Sequence, residues 1–581
     1  MKPPFQFNWP LVVTVLVTCL VGACDRGPEV DLGIEAVPAV EVADKIFHGG
    51  TIVTLDEDNP VVEAVAVKHG RILATGTFDE IMKYGGATDI VDLGTTTMVP
   101  GFIDGHSHFY MFGVQAVGAN LLAPPDGGVN NIDDLVAALK KWSKSDDVDK
   151  AGWIFGLGYD DAVLEENRHP TRDDLDKVST DVPVIAVHIS GHFAAVNGKG
   201  LALIGYTVET EDPEGGIIRR RPDSDEPNGV LEELAAIPVL AKIFGSMSAE
   251  DKQYFLDKGQ DMAMSFGYTT AQEGRATPAI HAALVNAAED ERLKIDVVSY
   301  IDYAAQEPLH TPWNSREYQN RYRVGGMKIT LDGSPQGRTA WRTFPYLLPP
   351  DGQEEGYSGY PVIPDDHFLT GLYDTAYANN WQVLTHANGD AAIDQMIRTL
   401  RPAMEKYGRF DRRPVLIHGQ FLRANQIRNL KQLGVILSLF PMHTFYWGDW
   451  YTEIIGPEMA ERIAPTQSVL DAGMIFTSHT DAPVALPNLI NVMWSTVNRV
   501  SRTGQVIGPD ERVAPLDALK AVTLWGAYQH FEEDAKGSIE IGKLADFVIL
   551  SANPVVIDPM LIKDIKVLET IKEGKTVYAA E

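Results

Sequence analysis

From about residue 100 to 535 the chain alternates short apolar runs with amphipathic stretches of helical length, and nothing else limits its fold as strongly. Runs that read as buried strands are Met98–Ile103, Trp153–Gly156, Val182–His188, Thr269–Glu273, Ile295–Tyr300, Gly326–Thr330, Gln382–His386, Pro414–His418, Val435–Leu439 and Met474–Ser478. Between them lie candidate helices such as Ile132–Ser143, Ala249–Phe266, Asp366–Asn379, Ala391–Tyr407 and Leu516–Ala527. Strands alternating with helices imply a mainly parallel sheet with helices outside it, and over this length the expected fold class is α/β, a (β/α)8 barrel. The runs outnumber eight, so some belong to insertions. Residues 200–235, with Arg219-Arg-Arg-Pro-Asp-Ser-Asp-Glu-Pro, read as an inserted hairpin or lid.

The ends are written differently. Phe47–Leu55, Val61–Val67, Arg71–Thr75 and Asp89–Leu93 are short β-runs separated by turn residues, and the same texture returns in Gly537–Leu550 and Val567–Tyr578. Residues 45–98 and 536–581 are therefore expected to form one small β-sandwich built from both ends, enclosing a barrel of residues 99–535.

Composition narrows the function. With 45% hydrophobic and 22% charged residues the chain is globular. A net charge of −31 repels phosphate backbones and argues against nucleic acid as a partner. The two cysteines, Cys19 and Cys24, leave no thiolate for catalysis or metal binding in the rest of the chain. Residues 1–23 read as a lipoprotein signal. Lys2 precedes the apolar stretch Leu11–Leu20, which is short for a membrane span, and Val21-Gly-Ala-Cys24 resembles a lipobox. The expectation is a lipid on Cys24, a tether over residues 24–44, and an exported protein of the bacterial cell envelope that touches the membrane through this anchor only. The oligomeric state stays open, a homodimer included.

The chemistry begins at Pro100-Gly-Phe-Ile-Asp-Gly-His-Ser-His108. Two histidines at i and i+2 on extended chain present both imidazoles to one face, which is half of a metal site. Four later strand ends carry Lys328, His386, His418 and Asp481. Singly, each has a plainer reading: a hydrogen-bonded rim histidine, a snorkelling lysine, a turn aspartate. In a barrel all strand C-termini share one face, so the six can meet there.

These residues, with Asp332-Gly-Ser334, His386-Ala-Asn-Gly-Asp390, Thr480-Asp-Ala-Pro-Val484, Arg168–Asp176, Gly191–Asn197 and Gly542–Leu550, resemble the amidohydrolase superfamily over nearly all of residues 45–581. The nearest branch is amidohydrolase family 3, which includes YtcJ-like proteins and N-substituted formamide deformylase. The resemblance implies that His106, His108 and Asp481 hold the more buried divalent metal and His386 and His418 a second. Zn²⁺ is the first choice, with Mn²⁺ or Fe²⁺ as alternatives. It also implies a carboxylated Lys328 shared between the metals. A metal-activated hydroxide would then attack a small-molecule substrate, with Asp481 as general acid and base, to cleave an amide, formamide or related C–N bond. His192, Asn197, Asp332 and Gln336 are candidate substrate contacts. His479, where relatives often have Gly-Ser-Asp, is an extra imidazole expected to pack. Trp341, Phe344, Tyr346 and Phe445–Tyr451 suggest an apolar or aromatic substrate moiety. An esterase, lactonase or carbamate hydrolase would use the same site, and a non-catalytic binding lipoprotein is the alternative of another class. A base deaminase fits less well, because His386 is followed by Ala-Asn-Gly with no glutamate, and neither G-x-S-x-G nor H-E-x-x-H occurs.

Overall fold

The structure, a computed structural model, describes residues 41–581 apart from 87, 88, 214, 351 and 352. The signal, Cys24 and nearly all of the expected tether lie outside the described residues.

Eight strands form the barrel: β1 (Phe102–Ile103), β2 (Tyr268–Ala276), β3 (Asp296–Asp302), β4 (Tyr322–Thr330), β5 (Gln382–Ala387), β6 (Val415–His418), β7 (Ile436–Leu439) and β8 (Phe476–Ser478). Each pairs in parallel with its neighbour in chain order. Strands covered on both faces should be apolar throughout, and Val415-Leu-Ile-His418 and Ile436-Leu-Ser-Leu439 are buried at every position. The sheet curls until its ends approach: the Asp481 N–H donates to the His106 carbonyl at 3.3 Å.

The expected strand Met98–Ile103 is in fact two. Thr97–Pro100 belongs to the sheet of the chain ends and Phe102–Ile103 to the barrel. Gly101 is the joint. Its N–H donates to the Asp546 carbonyl, and a Cβ there would lie 2.3 Å from Thr269 Oγ1. Only glycine lets the chain pass so close to β2.

The two ends join in a single hydrogen-bonded sheet of eight strands, where a small sandwich was expected. Its seam is the antiparallel pairing of Phe547–Leu550 with Thr97–Pro100. Phe47 and Phe547, edge to face at 5.6 Å, anchor the apolar cluster beneath it.

The surplus strands Trp153–Gly156 and Val182–His188 belong to a third sheet, between β1 and β2. In order it comprises Gly216–Arg220, Pro227–Glu233, Phe193–Val196, Val184–His188, Ile154–Tyr159 and Ala119–Asn120. The segment 200–235 contributes its outer antiparallel hairpin, so the insertion is wider than the sequence suggested. Apolar runs of a few residues carry no mark of which sheet they join, because both environments bury them alike.

Candidate metal centre

The C-terminal ends of the barrel strands carry the six residues to one place. His106 Nε2 lies 3.5 Å from Asp481 Oδ1, His108 Nε2 lies 3.5 Å from the same oxygen, and His418 Nε2 lies 3.8 Å from Asp481 Oδ2. Lys328 Nζ is 3.0 Å from His106 Nε2, and the rings of His386 and His418 are 4.7 Å apart. His106, His418 and Asp481 form the tightest group, with donor atoms mutually within 4.8 Å. His418 thus faces Asp481 as well as His386. Both His418 and Asp481 have left-handed backbone, φ 72° and 54°. For residues with a Cβ this costs about 1–3 kcal/mol, a strain found where a side chain must be aimed.

The surroundings set the tautomers. His106 Nδ1 donates to Gln272 Oε1 at 2.7 Å, which leaves Nε2 unprotonated, 3.0 Å from Lys328 Nζ and 3.5 Å from Asp481. Burial, then the Lys328 charge, holds His106 well below the usual histidine range, in the neutral form a ligand needs. His418 Nδ1 is 3.1 Å from His479 Nε2, and His479 Nδ1 is 2.9 Å from Ser438 Oγ. His479 is therefore a hydrogen-bonding support for a site histidine, more than packing. Asp104, fully buried, accepts the N–H groups of His106 and Gln272 and the Ser107 hydroxyl, and burial pushes its carboxyl up to about 7. Glu273 Oε1 lies 3.8 Å from His108 Nδ1. Asp104, Gln272 and Glu273 escaped the sequence reading. The only signal was that Gln272 and Glu273 close the expected strand Thr269–Glu273, as the other site residues close theirs.

The four expected substrate contacts separate. Asn197 has its amide engaged by the main chain. Its side chain accepts the N–H groups of Val184 and Gly200 and donates to the carbonyls of Ser179 and Val182, so it caps the helix Gly198–Ile204. Asp332 also has its oxygens in use. They accept the N–H groups of Trp341, Asn388 and Gly389, and Oδ1 sits 3.3 Å from His386 Nδ1 with no hydrogen bond between them. His192 is half-buried and pairs with Glu233 at 2.8 Å. Gln336 keeps a buried Oε1 with no partner. These two remain available to a ligand. Of the aromatic residues, Tyr346, Tyr446, Trp447 and Tyr451 are buried and Phe344 is exposed.

Two atoms test whether this set suits a metal. Asp481 Oδ1 and His386 Nδ1 are buried without any hydrogen-bond partner. A buried carboxylate oxygen without a hydrogen bond is costly, yet this one lies 3.5 Å from the Nε2 atoms of both His106 and His108. Nitrogen and oxygen donors converging in this way suit a borderline divalent cation such as zinc.

The sequence profile described as the amidohydrolase family matches residues 89–578. The chain is 27% identical to YtcJ of Bacillus subtilis, named as an amidohydrolase, over 92% of this chain and 99% of that one. It is 25% identical to N-substituted formamide deformylase of Arthrobacter pascens, over 93% and 99%. A solved structure of an uncharacterized metal-dependent hydrolase from Pyrococcus horikoshii superposes with TM-score 0.70 at 25% identity, over 89% of this chain and 99% of that one. With its profile matched from the end sheet through the barrel and back, this chain belongs to the amidohydrolase family.

Proposed function

We propose that the chain is a metal-dependent hydrolase that cleaves the C–N bond of a formamide-like or N-acyl compound, with Asp481 as general acid and base. The observation that carries this reading is the convergence of His106, His418 and Asp481, whose Oδ1 is buried without a hydrogen bond. His106, His108, His386, His418 and Asp481 would hold one or two divalent cations, zinc before manganese or iron. Lys328 would add a donor once carboxylated on Nζ. Burial brings its amine down to about 7, which supplies the neutral nucleophile that reaction with carbon dioxide requires. When bound, the cation acidifies water and polarises a carbonyl, the chemistry amide hydrolysis needs. Asp481 accepts the proton of the attacking water and delivers it to the departing nitrogen, because an amide anion leaves poorly unprotonated. Burial raises the Asp481 carboxyl above its ordinary range, which suits it to carry a proton. His192 and Gln336 would orient the substrate. The likeness to a formamide deformylase supports a small acyl group.

The test is a hydrolysis screen of N-formyl, N-acyl, lactam, carbamate and ester compounds on protein made without its first 24 residues, with Zn²⁺ or Mn²⁺ and bicarbonate. The expected result is turnover of a C–N substrate that Asp481→Asn lowers by about 10²–10⁴-fold. Turnover of esters alone, or a folded protein that takes up no metal, would overturn it.

We also propose that Cys24 is lipidated and anchors the enzyme in the bacterial cell envelope. Among the described residues no helix is long and apolar enough to cross a membrane. Cys24→Ser should release the protein from the membrane fraction; unchanged partitioning would remove the anchor.

A further inference from the structure

A second set of side chains converges in the inserted sheet. The parallel strands Ile154–Tyr159 and Val184–His188 run side by side, with Tyr159 opposite His188, so Asp160 and Asp161 emerge beside His188. His188 Nε2 lies 3.0 Å from Asp161 Oδ1 and 3.8 Å from Asp160 Oδ1, and His169 Nε2 lies 3.8 Å from Asp161 Oδ2. Despite the 3.0 Å approach, His188 Nε2 makes no hydrogen bond. The same sign, a buried donor atom without a bond amid others 3–4 Å away, marks the catalytic group.

Donors about 2.0–2.1 Å from a tetrahedral cation stand roughly 3.3 Å from each other, close to the spacings here. The far sides of the rings are also provided for. His188 Nδ1 lies 2.8 Å from Ser190 Oγ, and His169 Nδ1 lies 3.0 Å from Tyr159 Oη. The Tyr159 hydroxyl can accept from His169 Nδ1–H, which leaves His169 Nε2 a lone pair; His188 also faces the Ser190 N–H at 3.1 Å, so its Nε2 takes a cation in the tautomer whose Nδ1–H is turned to Ser190 Oγ. His188 and Asp160 side chains are 4% and 5% exposed, whereas Asp161 at 34% leaves a way in. We propose that Asp160, Asp161, His169 and His188 form a second divalent-cation site, separate from the catalytic group and taking zinc or manganese. Its role is structural. Asp160 Oδ2 also accepts the Trp447 indole N–H at 3.1 Å, so a cation here fastens the inserted sheet to the helix His443–Ile454 that follows β7 at the mouth of the barrel.

The test is metal content per chain after zinc loading and dialysis, with thermal unfolding in zinc and in chelator. Wild type should hold about one equivalent more than His188→Ala or Asp161→Asn. Asp481→Asn should keep this equivalent and its zinc-dependent rise in unfolding midpoint, which Asp161→Asn should lose. Asp161→Asn is nearly isosteric, so it reads the site even where His188→Ala fails to fold. Equal metal content in wild type and Asp161→Asn, with the same zinc response, overturns the proposal. The Ser190 N–H, 3.1 Å from His188 Nδ1, would then be the donor, leaving the proton on Nε2 for Asp161. Because the Asp481 variant is measured alongside, a failure here is distinct from a failure of the catalytic reading.

Discussion

His106 can serve a cation in only one tautomer, and Gln272 selects it through the 2.7 Å bond to Nδ1. Gln272→Leu removes that acceptor while keeping much of the volume. Metal affinity, measured by chelator competition, should fall about 10–100-fold with little loss of fold. An unchanged affinity would mean that Gln272 is packing alone. Gly274 guards the same ring from the other side, since a Cβ there would lie 2.2 Å from His106 Cε1. Gly274→Ala must therefore displace the imidazole. About 10²-fold or more of kcat/KM should disappear, the cost of misplacing a reacting group by about 1 Å. Full activity would show that the end of β2, which carries Gly274, can give way.

Among the elements, the helix Gly198–Ile204 shows how a polar residue at a loop end can be mistaken for a ligand contact. Asn197 is completely buried, and its single amide joins four main-chain groups of the insertion. Asn197→Ala loses the cap, worth about 1 kcal/mol, and orphans the buried Val184 N–H, worth about 1–3 kcal/mol more. Urea denaturation should shift to lower midpoint by that sum, while kcat and KM of the folded enzyme stay put. A rise in KM without loss of stability would return Asn197 to the substrate. The insertion itself was legible only as surplus strands, since the chain's alternation says that strands exist and is silent on their partners.

At the scale of the whole molecule, a buried charge network ties the end sheet to the barrel. Lys572 Nζ bonds Asp296 at the start of β3 and Asp546 beside the seam, both at 2.7 Å. Lys536 reaches Asp296 at 2.6 Å and Glu532 at 2.9 Å, and Arg323 on β4 reaches Glu532 at 2.7 Å. Lys572→Met leaves two carboxylates facing each other in the interior and should cost about 3–5 kcal/mol. The network also gives acid sensitivity a sign. Burial alone would raise Glu532, but Lys536 and Arg323 outweigh it and hold the carboxyl at about 2, against 4.5 unperturbed. A depressed carboxyl adds stability that is complete above its unfolded value and lost as pH falls through its folded one. Unfolding midpoints should drop between about pH 4.5 and 2, and less steeply in Glu532→Gln. Parallel pH profiles for the two proteins would exclude Glu532 as the source.

Legible in the sequence by itself were the strand–helix alternation of a barrel, the β texture shared by the two ends and six candidate ligands at strand ends. Strand burial, turn chemistry and ligand chemistry are properties of short segments, and each is written locally in text such as His106-Ser-His108 or Val415-Leu-Ile-His418. Only the tertiary structure decided which strands leave the barrel for the inserted sheet, that Gly101 divides one apolar run between two sheets, and that Asp332 and Asn197 spend their hydrogen bonds on the chain itself. It alone brought Gln272 to His106 and His479 to His418. Those contacts join residues far apart in the chain, and a hydrogen bond depends on angle and distance that no spacing along the sequence encodes.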